Sequence, residues 1–228
     1  MNDGEILIRP VVSLGPLVIT STVVTTWAIM ALLWLVSLFI TRRLGTEPGP
    51  LQAAVEGVVC TIEDAVSDVA PQHAGQIMPF IGSLWVFLVV ANLTGLIPGL
   101  HSPTRDLSAT AALAIIVFLS THWFGIRTQG LKSYLRHYLS PSPILLPFHL
   151  ISEITRTVAL AVRLFGNMMS LEMAALLILL VAGFLAPVPI LMLHIVEALV
   201  QAYIFGMLAL IYVAGGIQSQ QIRQQKKE

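Results

Sequence analysis

Five long apolar runs constrain this chain more than any other feature. They fall at about 17–41, 77–99, 107–126, 148–185 and 188–216. About 20 helical residues cross the hydrocarbon core of a bilayer. In that solvent every backbone N–H and C=O must find a partner inside the protein, so an isolated run can cross only as a helix. The expected fold is an all-α integral membrane protein, a single membrane domain over residues 1–228 with about five transmembrane helices. Composition agrees: 11% of the residues are charged, against about 25% in soluble domains, and the mean hydropathy is +0.85.

A different pattern separates the first two runs. In GPLQAAVEGVVCTIEDAVSDVAPQH, residues Leu51, Val55, Val58, Val59, Ile62, Val66 and Val69 recur at helical spacing. Glu56, Glu63, Asp64 and Asp68 fall elsewhere on the same turns. This predicts an amphipathic helix over about 50–69, lying at the membrane interface and ended by Pro71. The fourth run is long for one span, and its first half carries Glu153 and Arg156. It is expected to enter obliquely or to begin at the interface.

Basic residues set the expected orientation. Arg42 and Arg43 follow the first run, Arg127, Lys132 and Arg136 the third, and Arg223, Lys226 and Lys227 the last. The loops on the other side hold Arg9 and Arg105. Five spans with the N-terminus outside and the C-terminus cytoplasmic satisfy the positive-inside rule at every loop. The first ten residues carry acids ahead of Arg9, unlike a signal or transit peptide, so the chain is expected to enter the membrane through its own first helix. The single cysteine, Cys60, excludes an intrachain disulfide and a cysteine metal cluster. No cofactor or metal is expected. No basic run is interleaved with aromatics, so no nucleic-acid partner is expected either.

Within the fourth run, TVALAVRLFGNMMSLEMAALLILLVAGFL is interrupted by Arg163, Asn167 and Glu172. An arginine at mid-membrane costs about 2.5–3.5 kcal/mol on insertion scales, and it cannot escape by losing its proton. Steps of seven and four residues put Arg156, Arg163 and Asn167 along one stripe. Glu172, nine residues beyond Arg163, points about half a turn away. Two readings are open for Arg163: an ion-pathway residue, or half of a salt bridge to another span. On the last run His194, Glu197 and Gln201 share a face, which suggests a wet path of titratable and hydrogen-bonding groups; interhelical hydrogen bonding is the structural alternative. Asn92 in ANLTGLIPGL matches a glycosylation pattern, but inside a span that pattern cannot be read as one. There is no P-loop, HExxH or Gly-x-Ser-x-Gly motif, so the charges point to an ion pathway rather than an enzyme. Internal repeats of the secondary-transporter kind are absent too. A stand-alone proton channel or transporter, and a structural subunit with buried ion pairs, are the rival classes.

Four strings in order, NLTGLIPG at 92–99, PTRDLSAT at 103–110, RLFGNM at 163–168 and HIVEALVQAYIFGMLALIYV at 194–213, resemble subunit a of the rotary F-type ATP synthase. The resemblance covers essentially the whole chain. It implies a stator subunit of the membrane sector that forms two half-channels for protons, with sodium as the alternative ion since some members of the family carry it, its last two long helices packed against a ring of c subunits. The implied partners are that c-ring, the peripheral-stalk b subunits, other ATP synthase subunits and membrane lipid, in a bacterial plasma (inner) membrane. By resemblance Arg163 is the arginine facing the ring, Asn167 the amide one turn beyond, and Glu172, His194 and Gln201 line the half-channel open to the outside. Asn92 matches a polar position near that channel, and Arg156 one near the cytoplasmic half-channel. Glu197 departs partly from the pattern. Glu172 is expected to approach the His194 face of the last helix, with Gln201 nearer to it in depth.

Overall fold

The structure, a computed structural model, describes residues 10–14, 17–42, 49–97, 100–130, 146–182 and 188–218. Arg9, Arg43, Lys132, Arg136, Arg223, Lys226 and Lys227, and residues 183–187 between the last two runs, lie outside the described residues. Among the described residues a small antiparallel ribbon, β1 (Pro10–Leu14) with β2 (Leu17–Thr20), precedes six helices. These are α1 (Ser21–Arg42), α2 (Pro50–Val69), α3 (Ala74–Leu93), α4 (Leu107–Gln129), α5 (Leu146–Ala182) and α6 (Val188–Gln218). Five of them, all but α2, are long and apolar enough to cross a membrane. The protein is an all-α integral membrane protein in its architecture, and the ribbon is its one β feature among the described residues.

Local chemistry fixes the helix ends. Pro50 starts α2 at a position where its missing N–H costs nothing. Asp106 caps α4, accepting from the Ser108 backbone N–H at 2.9 Å. Gly130, at φ 79°, closes α4 with its N–H on the Ile126 carbonyl, a backbone turn that disfavours a side chain. The first span starts at Ser21, four residues later than the apolar run, because residues 17–20 pair as a strand. The long fourth run is one continuous helix, Leu146–Ala182. At 1.5 Å per residue it is about 55 Å long, well beyond a 30 Å hydrocarbon core, so it must tilt or emerge.

α6 is the central helix, packed on α3, α4 and α5, and α4 also packs on α5. Its inward face is built from small residues. Ala198, Ala202, Gly206 and Ala209 are all buried and let α3 approach closely. A Cβ at Gly206 would stand 2.9 Å from the Trp85 ring of α3. Ile77, Ile81, Leu88, Val117, Leu164, Met168, Phe205 and Leu210 fill the remaining core. α1 stands at the periphery, with only Ile29 buried, and presents Trp27, Trp34, Leu35 and Phe39 outward, as lipid-facing helices do. The C-terminal half of α2 folds back along the first half of α3. Ile62 and Val66 are buried while Glu63, Asp64 and Asp68 stay exposed.

The bundle has two ends. The α3–α4 connection, with short 3-10 turns at Thr94–Leu96 and Pro103–Arg105, marks one, together with the start of α1. The last turns of α4, the first turns of α5 and the last turns of α6 meet at the other.

Candidate ion-translocation site

Leu164 and Met168 bury one side of α5, 0% and 1% exposed, and turn Arg163 outward. Arg163 is exposed and makes no hydrogen bond or ion pair with any described residue. Along the same stripe Ser152, Arg156, Ala159 and Ser170 are also exposed. The Arg156 guanidinium lies 4.7 Å from the centre of the Tyr212 ring of α6, a cation–π contact.

One turn beyond Arg163, Asn167 leaves the stripe for the α5–α6 seam, where its amide Nδ2 donates to Gln201 Oε1 at 2.6 Å. Gln201 is 1% exposed, and its Nε2 has no hydrogen-bond partner among the described residues. The same is true of Nε2 of His194, seven residues earlier on the same face of α6. His194 is buried against the α3–α4 connection; a Cβ added to Gly95 there would be 3.5 Å from its Nε2. Buried polar atoms left without partners are rare. Glu197 is half-buried and has no polar partner among the described residues.

Asn92, fully buried on α3, donates from Nδ2 to the Ala198 carbonyl of α6 at 3.2 Å and accepts on Oδ1 from Thr104 at 2.8 Å. Ser102 Oγ lies 2.6 Å from Thr104 Oγ1 and 2.9 Å from the Ala91 carbonyl oxygen. A buried amide needs such partners to offset its desolvation. The network ties the connection to both α3 and α6. It also leaves Asn92 inaccessible to any glycosylating enzyme.

Glu172 points away from Arg163, as its spacing predicts, but the expected approach to the His194 face of α6 gives way to contacts with the α3–α4 connection. Its Oε1 accepts from Arg105 Nη1 at 2.6 Å and lies 2.8 Å from His101 Nδ1. The three residues border a cavity of about 410 Å³ between the start of α1, the connection and α5. Glu172 makes no hydrogen bond to His194. The two approach the same connection from α5 and from α6, while Asn167 takes the contact with Gln201. At the opposite end of the bundle, His122 of α4 and Glu153 of α5 pair, Nε2 to Oε2, at 3.2 Å.

Sequence reasoning missed His101, Arg105, Ser102, Thr104, His122 and Glu153 as members of these polar groups. Periodicity orders residues along one helix, whereas these partners come from other elements. The string PTRDLSAT, already conspicuous as a motif, was the available signal for Arg105 and Thr104.

The sequence profile of the family "ATP synthase A chain" matches residues 23–214. "ATP synthase subunit a 2" of Pelobacter propionicus is 66% identical over 215 residues, covering 94% of this chain and 94% of its own. "ATP synthase subunit a 1" of Hahella chejuensis is 67% identical over 219 residues, 96% of this chain and 92% of its own. "ATP synthase subunit a" of Legionella pneumophila is 55% identical over 226 residues, 99% and 98% respectively. A membrane bundle with this order of polar groups, similar over nearly its whole length to these relatives, belongs to the ATP synthase A chain family.

Proposed function

We propose that this chain is the stator subunit of a rotary ATP synthase, forming two ion half-channels that pass protons to and from the carboxylates of a c-subunit ring. The observation that carries the reading is Arg163, exposed midway along a membrane helix and without a hydrogen bond or ion pair among the described residues. An arginine kept to tie two spans of this chain together would lie against a carboxylate, and no described carboxylate is within ion-pair distance of it. A charge so costly in lipid calls for a partner outside the chain, and a ring carboxylate supplies the opposite sign. The small residues beside it, Ser152, Ala159 and Ser170, let another helix come close.

In this mechanism a proton enters from outside along Glu172, His194, Glu197, Asn167 and Gln201, with Asn92 bracing the connection beside them. The orphan Nε2 atoms of His194 and Gln201 suit a path that water completes. The proton neutralises a ring carboxylate. The neutral site then turns through lipid, where a bare carboxylate would be opposed by desolvation. On the other side of Arg163 the site gives up its proton toward the Arg156 end. Arg163 attracts the emptied carboxylate, and its fixed charge blocks a direct leak between the half-channels. Each charge crossing gains about 2.3 kcal/mol per 100 mV, which becomes torque on the ring. Nucleotide chemistry belongs to other ATP synthase subunits, and peripheral-stalk b subunits hold this one still. The membrane is a bacterial plasma membrane, with the N-terminus outside and the C-terminus cytoplasmic.

The test is Arg163→Ala in the whole complex. Ion-driven ATP synthesis and ATP-driven pumping should both vanish while the complex still assembles, because the removed group is a cost rather than a support. Arg163→Lys should also be severely impaired, since a lysine in lipid can lose its proton and lacks the planar fork. Near-normal coupled synthesis by Arg163→Ala would refute the rotary role.

A further inference from the structure

We propose that His122 and Glu153 form a proton-sharing pair that carries protons out of the ring on the side opposite Glu172. The proposal rests on the rotary reading and adds to it the groups that serve release.

The geometry of the imidazole is the starting point. Its Nδ1 lies 2.9 Å from the Phe118 carbonyl oxygen. A carbonyl only accepts, so Nδ1 carries a hydrogen in every protonation state this geometry permits. The opposite ring nitrogen, Nε2, lies 3.2 Å from Glu153 Oε2, within ion-pair distance though not aligned as a hydrogen bond. A small rotation of the imidazole aligns the two atoms, and one proton can then pass between them, held either on the carboxyl with a neutral imidazole or on the imidazole with a carboxylate. The pair is built to take one proton along the Nε2–Oε2 edge and to give it back along the same edge, while Nδ1 keeps its own.

The surroundings suit passage rather than bracing. Beside the pair, a recess of about 20 Å³ is bordered by Thr121, Thr157, Arg156 and Tyr212, room for about one water molecule. The two threonines bond back into their own helices, Thr121 to the Val117 carbonyl at 3.0 Å and Thr157 to the Glu153 carbonyl at 2.9 Å. The charged and titratable groups facing the recess are His122 from α4, Glu153 and Arg156 from α5, and Tyr212 from α6. Arg156, over the Tyr212 ring, adds a fixed positive charge that opposes a second proton.

Position completes the argument. Glu153 is ten residues before Arg163 on α5, about 15 Å along the axis, and Glu172 is nine residues after it, about 13 Å. Glu153 points about 80° from the Arg163 stripe and Glu172 about 180° from it. One carboxylate thus stands on each side of the arginine in depth, each turned away from it and each paired with a basic side chain from another element.

The test uses the complete complex in proteoliposomes, with ATP-driven pumping followed at a series of pH values on the cytoplasmic side. The double variant His122→Gln with Glu153→Gln keeps polar amides facing each other across the two helices but cannot exchange a proton. It should assemble, pump at least about tenfold more slowly and lose its response to cytoplasmic-side pH. Exchanging the two residues, His122→Glu with Glu153→His, should restore both pumping and response. Pumping within about twofold of the unaltered complex with the same pH profile in the Gln pair would overturn the proposal. So would an exchange variant no better than the Gln pair, failure of both double variants to assemble, or pumping in the unaltered complex that follows sodium rather than pH. Arg163→Ala, run in parallel, separates the two levels. Normal pumping there removes the rotary reading, whereas its loss beside a normal Gln pair removes only the His122–Glu153 assignment.

Discussion

Arg105 and Glu172 are 67 residues apart in sequence and 2.6 Å apart in space. That contact shows what residue-level reading of a sequence can reach. Arg163 is legible because lipid makes any arginine within a span conspicuous, whatever surrounds it. Arg105 sits in a loop, where arginines are ordinary, and only the fold brings it onto Glu172. Both side chains are partly buried, 28% and 19% exposed, so removing one leaves the other poorly compensated. Arg105→Gln should lower proton-driven ATP synthesis by about three- to tenfold, and Arg105→Lys, which keeps the charge but not the fork, by less. The measurement is the synthesis rate in proteoliposomes under an imposed gradient. An unchanged rate in Arg105→Gln would mean that the ion pair is an idle surface contact.

Among the elements, α6 follows most directly from its sequence. Alanines and a glycine at near four-residue steps leave room for a close neighbour, and α3 takes it. Gly206 faces the Trp85 ring, where a Cβ has no room. Gly206→Val should therefore destabilise the bundle by about 1–3 kcal/mol, the cost of overpacking. Gly215→Ala, with nothing within 4 Å of the added Cβ, should leave stability unchanged. Thermal unfolding of the purified subunit in detergent would compare the two, and equal midpoints would show that α3 and α6 do not meet at Gly206. The α5–α6 register was harder to read. Counting residues from a turn near 186–189 estimates depth but not azimuth. Glu172 is five residues past Asn167, a rotation of about 140° on a helix. That rotation takes Glu172 to Arg105 and His101 and leaves Asn167 at the seam with Gln201. The buried link from Asn92 through Thr104 was unreadable for a related reason: hydroxyls in a loop carry no periodic signal.

For the whole molecule, the feature with the largest consequence is which end faces the cytoplasm. Arg42 ends α1 and Arg127 lies in the last turn of α4. The start of α1 borders the same cavity as His101 and Arg105, so Arg42 lies at the end away from the α3–α4 connection, as Arg127 does. At the connection end Arg105 is the one arginine or lysine among the described residues, and Glu172 already pairs it. The positive-inside rule counts lysines and arginines near span ends, and the packing gathers them on one side more clearly than the sequence does alone. The predicted outcome is that the connection faces outward and the end of α4 faces the cytoplasm. Cys60 is exposed and must first be replaced by serine. A cysteine at Leu100, which is exposed in the connection, should then react with a membrane-impermeant maleimide added to intact cells. A cysteine at Thr128, exposed in the last turn of α4, should react only in inverted membrane vesicles. The reverse pattern would place Glu172 on the cytoplasmic side and Glu153 outside, exchanging the entry and exit assigned to the two half-channels while leaving Arg163 between them.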